Sequence, residues 1–166
     1  MKFFWFFIAT LLAVPPAVFA NEYAGTRAGE QFALSDIPLY AISLIGTPYK
    51  FGGKSPETGM DCSGFVGHVF KQTAGVQLPA SAQLISQKGQ VLQTNELQPG
   101  DLVFFNTLNR AFSHVGIYLG DNRFVHSTSS STGTVMVSNM TDGYWSRRFD
   151  GARRVYGTLA ELPAAP

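Results

Sequence analysis

Leu97-Gln98-Pro99-Gly100-Asp101-Leu102-Val103-Phe104-Phe105 marks a change of hydrophobic period along the chain. Its first half reads as a turn, and the four apolar residues that close it read as a buried strand. Upstream, apolar residues recur at helical spacing. Ser35-Asp36 is a cap ahead of Ile37, Ala41, Leu44 and Ile45, and Gly46-Thr47-Pro48 is the stop. Residues 49–59 read as a loop, with Gly52-Gly53 and Pro56. A second helix is expected from near Cys62, with Phe65, Val66, Val69 and Phe70 as its apolar stripe and Gly75 as its end. Downstream, residues 115–119 and 123–127 read as strands around a turn at Gly120-Asp121-Asn122, followed by strands at 135–137 and 152–156. Helices first and strands after predict an α+β fold, N-terminal helices packed on an antiparallel β-sheet.

The chain has 166 residues, enough for one domain, and shows no internal repeat. Its first twenty residues have the pattern of a signal peptide. Lys2 supplies the positive start, residues 3–14 are apolar apart from Thr10, and Val18-Phe19-Ala20 offers small residues to a signal peptidase. The apolar run is short of the roughly 20 residues that span a bilayer, so no stable membrane anchor is expected. Cleavage after Ala20 leaves 11 basic and 11 acidic residues (12 − 1 and 11), a net charge of zero and no footprint for nucleic acid. Asn21, not a cysteine, follows that site, so no lipid anchor is expected and the chain is read as soluble, periplasmic or secreted, and as a monomer. Residues 21–34 read as a flexible leader, 35–156 as the folded domain and 157–166 as a loose tail.

The chain has a single cysteine, so it forms no internal disulfide. By count alone Cys62 is equally a core filler or a reactive group. Its neighbours favour reactivity. Asp61-Cys62-Ser63-Gly64 lies between a glycine-rich loop and a helical stripe, which puts Cys62 at a helix N-terminus. Free N–H groups there stabilise a thiolate and can hold an oxyanion. Asp61 or Ser63 can equally be a plain helix cap.

Three histidines are present. His68 lies six residues after Cys62, off its helical face, and reads as a surface residue. His114 and His126 flank the 120–122 turn. A three-residue loop would pair Gly116 with His126 and put His114 on the same face, two residues along. A two- or four-residue loop would put the two on opposite faces. On a shared face His114 can take the Cys62 proton while His126 orients it. Two structural histidines are the plainer alternative. A catalytic zinc could use the same three side chains, but none of the pairs has metal-finger spacing.

These pieces together resemble the NlpC-like cell-wall cysteine peptidases. The likeness rests on Gly46-Thr47-Pro48-Tyr49-Lys50-Phe51-Gly52-Gly53, Asp61-Cys62-Ser63-Gly64-Phe65-Val66, Pro99-Gly100-Asp101-Leu102-Val103-Phe104-Phe105, His114-Val115-Gly116-Ile117-Tyr118 and Phe124-Val125-His126. They occur in family order and are most similar to periplasmic murein endopeptidases of the Spr/MepS type. The resemblance implies a papain-like fold and hydrolysis of an amide bond in peptidoglycan stem peptides or cross-links. It implies Cys62 as nucleophile, His114 as base, His126 as orienting residue, and an oxyanion site from the Tyr49 hydroxyl and the Cys62 N–H. Asp61 and Ser63 match positions that line the substrate cleft. No metal or organic cofactor is implied. A catalytically silent wall-binding module and a lipid acyltransferase are the rival readings. Arg147, Arg148, Arg153 and Arg154 form a short cluster that reads as a solvated basic face.

Overall fold

The computed structural model describes residues 36–129 and 133–155. The proposed signal peptide, leader and C-terminal tail lie outside the described residues. Residues 36–43 form helix α1, whose apolar face buries Ile37 and Ala41. It ends before Leu44, so the expected Ile45 contact is absent and Ile45 is exposed.

The 49–59 loop contains a small hairpin, β1 (Lys54–Ser55) and β2 (Gly59–Met60), too short to carry a strand pattern in sequence. Helix α2 (Cys62–Ala74) follows. Asp61 caps it, and Gly75 ends it in the left-handed conformation that suits glycine. Phe65, Val66, Val69 and Phe70 are all fully buried, which makes the expected stripe the central wedge of the domain. Each such phenylalanine contributes about 1.5–3 kcal/mol through burial.

A short helix α3 (Ala82–Ile85) leads to β3 (Gln90–Leu92), neither of which the sequence pattern announced. The remaining strands are β4 (Leu102–Phe105), β5 (His114–Gly120), β6 (Arg123–Ser127), β7 (Val135–Asn139) and β8 (Phe149–Arg154), with helix α4 (Gly143–Ser146) before the last. They form one antiparallel sheet in the order β3-β8-β4-β5-β6-β7. The α+β expectation therefore holds.

Both faces of this sheet are covered. Leu102, Phe104, Val115, Ile117 and Val125 pack with α1 and α2. Val103, Phe105, Tyr118 and Phe124 form a second core on the other side, covered by Met140, Trp145 and Phe149. This explains why β4 is apolar at every position: its alternate residues enter different cores.

Of the four clustered arginines, Arg147 is exposed as expected, whereas the other three are tied to neighbours. Arg154 pairs with the fully buried Asp101 through two contacts of 2.8 Å, tying the start of β4 to the end of β8. Arg153 donates to the Ser86 carbonyl at 2.6 Å. Arg148 stacks over Tyr144 at 3.9 Å. Successive strand residues point to opposite sides, which separates Arg153 from Arg154.

Candidate active site

Asp61 holds the loop and the helix together. Its Oδ1 accepts the Gly64 N–H at 2.7 Å, and its Oδ2 accepts the Gly52 N–H at 2.9 Å. Ser63 donates to the same carboxylate at 2.9 Å and lies 3.0 Å from the Ala80 carbonyl. Asp61 is thus the helix cap, and Ser63 reinforces it. The glycines of this region are required by contact: a Cβ on Gly64 would lie 2.0 Å from the Gly53 carbonyl oxygen.

Cys62 is the first residue of α2 and borders a cleft of about 360 Å³. Tyr49, Asp61, Ser63, Arg110 and His114 line the same cleft. All five residues expected on the reactive side (Tyr49, Asp61, Cys62, Ser63 and His114) are therefore brought together. The surroundings of the thiol favour its neutral form. Burial, and then the nearby Asp61 carboxylate, push its pKa up to about 11. Backbone N–H groups of Val115, Ser63 and Cys62 itself act in the opposite direction but are outweighed. The N–H groups at the helix terminus favour the thiolate as expected, but desolvation of the charged form is the larger effect. The Tyr49 hydroxyl is raised too, by burial first and then by Cys62 and Asp61.

His114 opens β5, and its Nε2 lies 2.8 Å from Nδ1 of His126. The pair forms by a route the sequence did not show. The hairpin loop has two residues, Asp121 and Asn122, both with positive φ, at 50° and 58°. Alone, that loop would separate the histidines. A bulge between Tyr118 and Gly120 shifts the register by one, so Tyr118 faces Phe124 and Ile117 faces Val125. The expected parity is restored. Gly116 sits beside His126, where a Cβ would come 3.2 Å from the histidine Cβ.

Burial lowers the pKa of both rings, His114 to about 4 and His126 to about 3, the latter with a further contribution from His114. His126 Nε2 reaches Ser138 Oγ at 3.0 Å. Trp145 packs nearly parallel to His114, with centroids 5.6 Å apart, and edge-on to His126 at 4.9 Å. Ser138, Trp145 and Arg110 were not singled out from sequence, because their meeting depends on strand register and loop path. His68 lies apart, paired with the Tyr40 hydroxyl at 3.0 Å and stacked on its ring. It is half-buried rather than the free surface residue expected. His114 Nε2 and His126 Nδ1 are engaged with each other. No group of three or more His, Cys, Asp or Glu side chains placed for metal binding occurs among the described residues.

A second cavity of about 420 Å³ adjoins the first, lined by His126, Met136, Ser138, Tyr144 and Trp145 among others. His114 lies in the wall of both.

Fold and cleft define an α+β domain in which a helix-borne thiol and a sheet-borne imidazole share one cavity. Residues 46–154 match the family model described as NlpC/P60 family, and the chain belongs to that family. It is 42% identical over 110 residues to the Escherichia coli K12 murein DD-endopeptidase MepS/murein LD-carboxypeptidase, covering 66% of this chain and 56% of that protein. It is 40% identical over 139 residues to the Bacillus subtilis gamma-DL-glutamyl hydrolase, covering 81% of this chain and 33% of that protein. The chain thus spans about a third to just over half the length of these curated relatives. Among solved structures, the NlpC/p60 domain of the peptidoglycan hydrolase SagA superposes with a TM-score of 0.62 at 30% identity, covering 73% of this chain and 97% of that one. An NlpC/P60 family protein from Bacillus cereus gives a TM-score of 0.68 at 29% identity, covering 74% and 40%. No helix among the described residues is long and apolar enough to cross a membrane.

Proposed function

We propose that this protein is a peptidoglycan endopeptidase that cleaves an amide bond in murein stem peptides or cross-links. The observation that carries the reading is the buried His114–His126 contact in the wall of the cleft that holds Cys62. His126 occupies Nε2 of His114, so Nδ1 of His114 is the nitrogen left for the thiol. Cys62 gives its proton to that nitrogen as the sulfur attacks the amide carbonyl. Because thiol and imidazole both start neutral, transfer and attack are coupled rather than preceded by an ion pair. The Cys62 N–H and the Tyr49 hydroxyl hold the oxyanion. Collapse expels the amine, which takes the proton from His114. Water, deprotonated by His114, then hydrolyses the thioester and restores the thiol.

Asp61 and Ser63 form the cleft wall next to the nucleophile and act on substrate through the helix terminus they fix. The apolar start of the chain supports export, with cleavage after Ala20 and action in the periplasm or outside the cell.

Incubation of residues 21–166 with purified sacculi should release peptide fragments, and mass mapping should identify the bond. The names of the relatives define two outcomes: a D-alanine cross-link, as in a DD-endopeptidase, or a γ-glutamyl bond. Cys62→Ala should abolish release. Sacculus binding that survives Cys62→Ala, with no cleavage by the wild type, would instead identify a wall-binding module. A lipid-derived thioester without murein cleavage would identify an acyltransferase.

A further inference from the structure

Strand β7 closes the rear of the histidine pair with a hydroxyl. Ser138 Oγ lies 3.0 Å from His126 Nε2. In the β6–β7 register Phe124 faces Ser138 and His126 faces Met136, so Ser138 and His126 are diagonal neighbours on one face. His126 is fully buried, and Trp145 covers its ring edge-on. Among the described residues, Ser138 Oγ is the hydrogen-bond partner of its Nε2.

A neutral imidazole has one N–H donor and one bare acceptor nitrogen. The chain Ser138–His126–His114 thus admits two proton orders. In the first, His126 Nε2–H donates to Ser138, His114 Nε2–H donates to His126 Nδ1, and His114 Nδ1 carries a lone pair. In the second, the serine hydroxyl donates, every proton is reversed, and His114 Nδ1 carries hydrogen. Only the first order gives a base that can accept the thiol proton. It also suits the protonated intermediate, in which His114 Nε2–H must still donate to His126. Burial keeps both rings neutral at pH 7, so the tautomer is the property left to be set.

We propose that Ser138 is a positioning residue of this site, the terminal hydrogen-bond acceptor that holds both histidines in the tautomer leaving His114 Nδ1 free for the Cys62 proton. The inference rests on the assignment of Cys62 and His114 as nucleophile and base. It adds a fourth member to the relay and explains why a polar side chain stands against a buried imidazole in an aromatic surround.

The test uses the mature chain with Ser138→Ala, Ser138→Thr and Ser138→Asp. Ala should lower kcat on muropeptides about 10- to 100-fold, as loss of a group orienting a histidine from behind does elsewhere, with KM within about twofold. Thr keeps the hydroxyl and should stay within about threefold of wild type; Asp accepts only and should exceed Ala. Imidazole ¹⁵N shifts give the readout that packing alone would not move. In wild type, His114 Nδ1 should be unprotonated and Nε2 protonated; in Ser138→Ala the two forms should mix. A protonated His114 Nδ1 in wild type would overturn the proposal. So would unchanged kcat in Ser138→Ala, or lowered kcat with the wild-type ¹⁵N pattern. The wild-type spectrum decides even if Ser138→Ala does not fold. Cleavage that persists in Cys62→Ala would instead overturn the nucleophile assignment, and the spectrum still reports the proton order by itself.

Discussion

A thiol held near pKa 11 is a weak nucleophile at neutral pH, and this sets the chemistry of Cys62 apart from that of a preformed thiolate. Its first expected consequence is slow alkylation. Iodoacetamide at pH 7.5 should modify Cys62 at least about tenfold more slowly than a small free thiol, since the thiolate is the reacting form. The rate should climb as pH rises past 9. Fast labelling with a plateau below pH 7 would show an ion pair in the resting site and remove the coupled step. The same logic applies to turnover. With the base held near 4 by burial, the acid limb of kcat/KM should lie well below the ordinary imidazole value of about 6.5. A limb at 6.5 or higher would mean that His114 is solvated in the working enzyme.

At the level of elements, the site depends on how closely two backbones approach. The start of α2 presses on the glycine loop, and a Cβ on Gly64 meets the Gly53 carbonyl oxygen at 2.0 Å and the Lys54 Cα at 3.2 Å. Both obstacles are main chain and cannot rotate away. Gly67, one turn further along the same helix, has nothing within 4 Å of an added Cβ. Gly64→Ala should therefore displace Cys62, lowering activity at least tenfold and stability by about 1–3 kcal/mol. Gly67→Ala should raise stability by about 0.5–1 kcal/mol, because alanine loses less backbone entropy in a helix, and leave activity unchanged. Chemical denaturation and a sacculus assay on the pair check this; equal behaviour of the two variants would contradict the contact argument. The helix itself was legible: cap, stripe and glycine stop all lay in the sequence at their final positions. The hairpin was legible only in its result. A three-residue loop and a two-residue loop with one bulge give the histidines the same parity, and residue spacing does not separate them. The left-handed conformations of Asp121 and Asn122 are the local reason that the chain takes the second route.

Across the whole molecule, the sequence disclosed what local pattern encodes and concealed what register and distance decide. Apolar runs bounded by turns marked the strands, but the second core became apparent only with Trp145 and Phe149 folded over β4 and β6. The arginines looked like a surface group because their partners were remote; Arg154 meets Asp101 across 53 positions. The histidine pair has the same non-local character and couples the site to the stability of the domain. In the unfolded chain both imidazoles titrate near 6.5, whereas burial lowers them to about 4 and about 3 in the fold. Between those values the unfolded state binds more protons, so stability is fully present above about pH 6.5 and falls as pH falls. The two histidines titrate as a coupled pair, and both add to the loss while the difference lasts. The melting temperature should therefore drop steeply from pH 6.5 to 4.5, and a His114→Gln/His126→Gln double variant should show a shallower slope over the same interval. The slope is the diagnostic quantity, since the double variant will differ in absolute stability for packing reasons. Equal slopes in the two proteins would place the acid sensitivity elsewhere and show that the histidines are hydrated in the native state.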